Sequence, residues 1–156
     1  MLARSTGVAC AFAGAGALAA CGTDTVRPGA PAASLAVGSG SVSQAVATSE
    51  RALIARYTET IAAFVQLAPS LEPLLRQHEE HLAATGVEVP EPPVHTPPSD
   101  LHAATSALRQ AELSAAIERR ESCLLATEPE LIRTLTFIAA SEASHVAALR
   151  AVSHRS

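Results

Sequence analysis

Lysine is missing from this chain of 156 residues: all 11 basic side chains are arginine, set against 15 acids. With a net charge of −4 and no basic cluster, the chain lacks the concentrated positive charge that a phosphate backbone requires. Nucleic acid is therefore not expected as a partner. Tryptophan is missing too, and aromatic residues make up only 3% of the chain. A β-sandwich draws heavily on Tyr, Phe, Val and Thr, so this scarcity favours packed helices. Cysteine is rare, represented by Cys10, Cys21 and Cys123. The first two fall in the N-terminal segment, which leaves Cys123 without an intrachain partner and argues against a disulfide scaffold. No Ser/His/Asp arrangement, phosphate-binding glycine loop or Cys-x-x-Cys is present. The length suits one domain and no more.

The N-terminus reads as an address. Residues 1–20, MLARSTGVACAFAGAGALAA, place one early Arg4 before an apolar run from Gly7 to Ala20. The run is too short to span a membrane but suits the core of a signal peptide. It ends in Leu18-Ala19-Ala20-Cys21, which resembles the lipobox of bacterial lipoproteins. That resemblance implies cleavage before Cys21, a diacylglyceryl group on its thiol, and a protein held at the extracytoplasmic face of the cell membrane. An ordinary secretory signal that happens to contain a cysteine is the alternative. No twin-arginine pair is present, so the general secretion route is the simpler expectation. Residues 22–43, rich in Gly, Pro, Ser and Ala without a helical apolar period, read as a flexible tether. The expected organisation is a signal peptide over 1–20, a lipidated Cys21 and linker over 21–43, and a folded domain over 44–153.

Apolar positions recurring at i, i+3, i+4 and i+7 predict four helices in that domain. The first, over about 44–67, carries Val46, Leu53, Ile54, Tyr57, Ile61 and Phe64 on one stripe. The second, over about 71–85, carries Leu71, Leu74, Leu75 and Leu82, with Ser70 as its N-cap and Gly86 as its stop. Leu101, Thr105, Leu108, Ala115 and Cys123 mark a third over about 100–125, capped by Ser99. The fourth, over about 129–152, has Leu131, Leu135, Ile138, Leu149 and Val152. Ahead of it, Thr127-Glu128-Pro129-Glu130 offers a capping-box pair and a first-turn proline. Short turns near 68–69 and 126–127 make two antiparallel hairpins. The segment VEVPEPPVHTPPS between them holds five prolines and should be extended. Its residues can reach about 43 Å, more than the length of a 25-residue helix, which is about 37 Å. The fold class is thus all-α, a four-helix bundle whose connection is long enough for a crossover. An up-down-up-down bundle with a slack loop remains open.

Polar residues interrupt these stripes. Glu142 lies at the centre of the fourth helix's apolar face, between Ile138 and Leu149, and His145 sits one turn away on the same face. Glu112 occupies the centre of the third stripe, His78 lies among Leu71, Leu75 and Leu82, and His81 sits at the edge of that face. Inward ionisable groups are costly unless partnered, and a metal ion uses carboxylate charge and imidazole lone pairs together. Glu112 falls opposite residue 142 across the second hairpin. In a crossover topology the distances of these groups from the two turns bring them into one layer. On the first helix, Glu50 faces inward but lies away from that layer, Glu59 has the right level but the wrong face, and Tyr57 meets both conditions.

Glu142-Ala143-Ser144-His145 resembles the Glu-x-x-His motif of ferritin-like di-iron proteins, with Glu112 standing thirty residues earlier where that family has its single Glu. His78-Glu79-Glu80-His81 departs from the pattern, presenting His-x-x-His where Glu-x-x-His is usual. The phrase RQHEEHLAATG resembles ferritin-like lipoproteins of high-GC Gram-positive bacteria, and the likeness covers residues 44–152. It implies a ferritin-like bundle with a long crossover and a metal site drawn from Glu112, Glu142, His145, His78 and His81. Tyr57 or Glu50 would be the first helix's contribution. Such ligands suit iron, manganese or zinc, and the histidine enrichment leans toward zinc or copper. The expected partners are the membrane, through the lipid on Cys21, and at most a second copy, since a tethered protein suits a monomer or homodimer better than a closed cage. The competing reading is a metal-free interaction module of the cell envelope, in which Arg119 pairs with Glu142 or Glu112. Cys123 reads as a small buried thiol, Glu79, Glu80, Glu118, Arg120 and Glu121 as solvated charges, and His95 and His154 as incidental.

Overall fold

The computed structural model describes residues 32–153, so the expected signal peptide, Cys21 and His154 lie outside the described residues. Four helices run in chain order: α1 over Ala32–Ala63, α2 over Ala68–Thr85, α3 over Leu101–Leu125 and α4 over Pro129–Ser153. A single 3-10 turn, Val65–Leu67, links α1 to α2, and there is no strand among the described residues. Within the same residues no helix is long and apolar enough to cross a membrane.

Local chemistry sets most of the boundaries, though not always at the expected residue. Gly86 stops α2 in the left-handed conformation, φ 65, and its N–H closes onto the Ala83 carbonyl at 3.1 Å. Asp100, not Ser99, caps α3: its side chain accepts a hydrogen bond from the Ala103 N–H at 2.7 Å. Ser70 is not a cap either, because α2 already begins at Ala68 with a proline in its first turn. The larger corrections concern α1. It begins at Ala32, so 32–43, read as tether, belongs to the helix. Gly38, Gly40 and four serines give this segment a linker's composition, which is why periodicity alone missed it. Val42 and Val46 then reach the far hairpin and bury against Ala126, Leu135 and Ile138. At its other end α1 stops at Ala63, short of the expected 67. The chain leaves the helix at Phe64 (φ −134, ψ 74), and the 3-10 turn tucks Leu67 inside.

The pairings establish helix directions. Tyr57 meets Glu112 and Glu50 meets Arg119, so rising numbers on α1 face falling numbers on α3 and the two run antiparallel. Since α1 is also antiparallel to its hairpin partner α2, the helices α2 and α3 point the same way. Residues 86–100 must therefore return along the length of the bundle, and they do so beside α1. Arg51 pairs with Glu91 at 3.2 Å, and further along the His95 backbone N–H donates to Glu59 Oε1 at 3.0 Å. His95 is thus a fixed point of the crossover, not an incidental residue.

Two apolar clusters fill the interior. One gathers Tyr57, Leu67, Leu71, Leu74, Leu108, Leu149 and Val152; the other gathers Val42, Val46, Ala126, Leu135 and Ile138. Between them, at the height of residues 50, 78, 112 and 142–145, lies a buried polar layer. Because Val42 is 7% exposed, Val42→Asp is expected to lower the unfolding free energy by about 2 kcal/mol or more, by burying an unpaired carboxylate. Urea denaturation checks this. A flexible linker at residue 42 would leave the midpoint unmoved.

Candidate metal centre

The polar layer takes one contribution or more from every helix. Glu50 and Tyr57 come from α1, His78 from α2, Glu112 and Arg119 from α3, and Glu142 and His145 from α4; all are essentially fully buried. Their contacts centre on one oxygen. Glu112 Oε1 accepts a short hydrogen bond from the Tyr57 hydroxyl and meets His78 Nε2 at 2.8 Å and His145 Nδ1 at 3.1 Å. The outer nitrogens of the two rings are also held. His78 Nδ1 lies 2.9 Å from Glu50 Oε2, and His145 Nε2 lies 3.1 Å from Gln77 Oε1. Ser141 donates to that same Gln77 oxygen at 3.0 Å.

His81, at the edge of the layer with its side chain 14% exposed, places Nδ1 at 3.6 Å from Glu50 Oε2. That nitrogen is buried without a hydrogen-bond partner, as is Glu112 Oε2. Arg119 reaches Glu50 Oε1 through Nε at 3.3 Å and Nη2 at 3.1 Å, and its Nε lies 3.3 Å from Glu142 Oε1. A helical side chain leans toward its own N-terminus, so Arg119 extends to a level above its Cα and meets Glu142 there.

Two sets of side chains could hold a metal ion: His78 with Glu112 and His145, and Glu50 with His78 and His81. In each set the ligand atoms lie within 4.8 Å of one another. Around a tetrahedral ion with bonds of 2.0–2.1 Å, ligand atoms sit about 3.3 Å apart. The N···O distances of 2.8 and 3.1 Å in the first set need to widen by only a few tenths of an ångström. Glu142 falls outside both sets. Three residues of helix separate it from His145 by about 4.5 Å along the axis, enough to drop it to the height of Arg119. Glu50, expected on the inward face but away from the layer, moves the other way, into it. The apolar pattern centres the first turn near 68–69, whereas the hairpin midpoint lies between Val65 and Gln66. A shift of three residues in a turn slides the facing helix by six, about 9 Å. Glu50 then faces His81 directly, while Glu59 is left to hold the crossover. Gln77 and Ser141 were missed altogether, although each stands four residues before a histidine of the layer and so on the same face. Cys123 is half-buried beside the Val42 cluster, away from both sets.

The electrostatics of the metal-free layer are self-consistent. Burial by itself would lower the pKa of His78, but hydrogen bonds to Glu112 and Glu50 raise it to about 9. Burial by itself would raise the pKa of Glu112, yet His145 and His78 bring it down to about 2. Glu50 is likewise held below the usual carboxylate range, against its own burial, by His78, His81 and Arg119. Glu142 goes up to about 9, because burial, with the charges of Glu50 and Glu112 beside it, outweighs the pull of Arg119. Burial and the neighbouring Glu112 charge push the Tyr57 phenol well above its ordinary value, so it stays a donor. Two carboxylates thus balance Arg119 and a protonated His78, and Glu142 is neutral.

No protein-family model, curated protein or solved structure matches the chain. The chemistry of these residues therefore carries the functional argument.

These shifts give the metal-free protein a defined pH profile. Glu50 and Glu112, whose pKa values fall on folding, contribute stability that is present above about pH 4.5 and lost as pH drops toward 2. The opposite sign holds for His78 and Glu142, which rise on folding. His78 contributes fully below about pH 6.5 and Glu142 below about pH 4.5, and both contributions fade as pH climbs through 9. Denaturation midpoints taken in the presence of a chelator are expected to peak at about pH 5 and decline on both sides. Glu142→Gln should flatten the alkaline limb; an unchanged limb would mean that Glu142 is ionised in the fold.

Proposed function

We propose that this protein is an extracytoplasmic lipoprotein, anchored to the cell membrane through Cys21, whose ferritin-like bundle holds a metal ion at His78, Glu112 and His145. One observation carries the metal reading. Each of the two histidines has an acceptor oxygen on its far nitrogen, Glu50 Oε2 for His78 and Gln77 Oε1 for His145, while the near nitrogens converge on Glu112. Outer partners of this kind fix the tautomer of a ligating imidazole and aim its lone pair at the metal. The orphaned Glu112 Oε2 adds a buried acceptor with no partner of its own.

Two imidazoles and one carboxylate leave a coordination position open, and a bound ion there would supply Lewis acidity or redox chemistry according to its identity. The rest is the work of the chain. Tyr57 and the histidines hold Glu112 in place, and Glu50 and Gln77 orient the rings. Arg119 offsets the charge of Glu50, and the apolar clusters above and below exclude water. Histidine and carboxylate together suit zinc, iron, manganese or copper. The ferritin-like assignment draws support from the parallel course of α2 and α3, the crossover beside α1, and ligands set in mid-bundle.

The metal-free alternative has its own observation. Arg119 is buried between Glu50 and Glu142, a pairing that would stabilise an interaction module with no ion at all. Elemental analysis separates the two. The full-length chain, stripped of metal and titrated with Zn(II) or anaerobic Fe(II), is expected to take up one equivalent. The double variant His78→Ala, Glu112→Ala, which breaks both sets, should take up none. If that variant keeps wild-type metal content, or the wild type takes none, the metal reading is wrong and the Arg119 module stands.

The anchor has a separate test. Cys21→Ser is expected to lose both the mass of the diacylglyceryl group and its place in the membrane fraction. A Cys21→Ser chain still found with membranes would overturn the lipid assignment.

A further inference from the structure

His78 belongs to both candidate ligand sets, and it joins them through different nitrogens. Its Nε2 faces Glu112 at 2.8 Å, and its Nδ1 faces Glu50 at 2.9 Å. A neutral imidazole offers one lone pair and one N–H, so it can ligate an ion on one side only while donating on the other. The two sets are therefore alternative seats for a single ion.

They differ in access and in charge. The inner seat, His78 with Glu112 and His145, is closed to solvent on all three residues. In the outer seat, Glu50 with His78 and His81, one ligand is partly exposed: the His81 side chain is open to 14%, with its Nδ1 buried, unpartnered and 3.6 Å from Glu50. Arg119 lies on Glu50 Oε1, so its positive charge weighs directly against a cation in the outer seat. The outer seat is thus the more reachable and is opposed by a neighbouring positive charge; the inner is enclosed. The rings of His81, His78 and His145 stand in a triangle, with centroids 5.6, 5.0 and 6.3 Å apart, so the two seats adjoin across the His78 ring.

We propose that Glu50, His78 and His81 form a loading seat through which one divalent transition-metal ion reaches His78, Glu112 and His145, with the His78 ring as the shared pivot. In the outer seat, His78 ligates through Nδ1 and its Nε2–H donates to Glu112. In the inner seat, it ligates through Nε2 and its Nδ1–H donates to Glu50. First ligation releases one proton from the doubly protonated ring. On transfer the ring gives up its Nε2 proton as the ion arrives there and takes one at Nδ1 as the ion leaves, so the transfer itself needs no net gain or loss of protons. His81 serves loading and unloading; it is not a ligand of the final site.

This inference rests on the metal reading above, and Co(II), whose visible bands report its ligands, tests the two separately. The full-length wild type is expected to bind one equivalent of Co(II). Stopped-flow association with His81→Ala should be at least tenfold slower, and release into chelator should slow in parallel. His81→Gln, which keeps the side chain's bulk and polarity, should behave like His81→Ala. His145→Ala should still bind one Co(II), at least tenfold more weakly and with shifted bands, because the ion is left at Glu50, His78 and His81.

Two bound equivalents in the wild type would overturn the shared-pivot scheme while leaving the metal reading intact. So would unchanged association kinetics in both His81 variants, a faster release with unchanged association, or a His145→Ala chain that binds nothing. A wild type that binds no ion would sink both readings together.

Discussion

Six ionisable side chains, Glu50, His78, Glu112, Arg119, Glu142 and His145, are withdrawn from water in adjoining turns at the middle of the bundle, and no helix can satisfy its own share. Their requirement for one another constrains the whole domain. A buried charge or imidazole left unpaired costs several times what a lost methyl contact does, so sliding any helix by one turn would be penalised in the polar layer before it was felt in the apolar clusters. Packing of Leu, Ile and Ala is forgiving of small displacements. Hydrogen bonds to a single Glu112 oxygen from three other helices are not. In this bundle the apolar clusters supply cohesion and the polar layer supplies register.

On the proposed metal reading, the same layer would serve two chemical states. Without metal, a protonated His78 and Arg119 neutralise Glu50 and Glu112, and a neutral Glu142 completes the balance. With an ion in the inner set, the dication would take the place of the proton on His78, and the imidazole ring would stay where it is. A site that is already closed, oriented and charge-balanced before it binds has little reorganisation left to perform.

Much of this was legible from residue spacing, and the exceptions have physical causes. The α3–α4 hairpin turns where its capping chemistry says it should, so Glu112 could be set opposite residue 142 from sequence alone. It is His145, one turn further on, that reaches Glu112, while Glu142 meets Arg119. The α1–α2 hairpin hides its turn. Phe64, Val65 and Leu67 continue an apolar pattern through a 3-10 segment, and nothing in the periodicity marks the break at Ala63. Glu50 was misjudged because a small error in a turn is doubled across a hairpin. The start of α1 was missed because Gly38, Gly40 and four serines over residues 32–43 read as linker by composition, although Val42 buries against the far hairpin. Gln77 and Ser141 are ordinary polar residues, and their role exists only through the ring they touch. Arg119 was visible on its stripe, but whether it would reach Glu50, Glu142 or Glu112 depended on the lean of its long side chain.

The crossover shows how stiffness in a connecting segment can select a fold. Residues 86–100 carry five prolines over a stretch that runs beside α1 from Glu91 near Arg51 to His95 near Glu59. Proline restricts the unfolded chain as well as the folded one, so such a segment gives up little freedom when it becomes ordered. A limp connection of equal length would let α3 double back antiparallel to α2, the up-down-up-down topology. A stiff one favours delivery of the first turn of α3 to the opposite end, so the choice between topologies is biased by the piece of chain that has no regular structure.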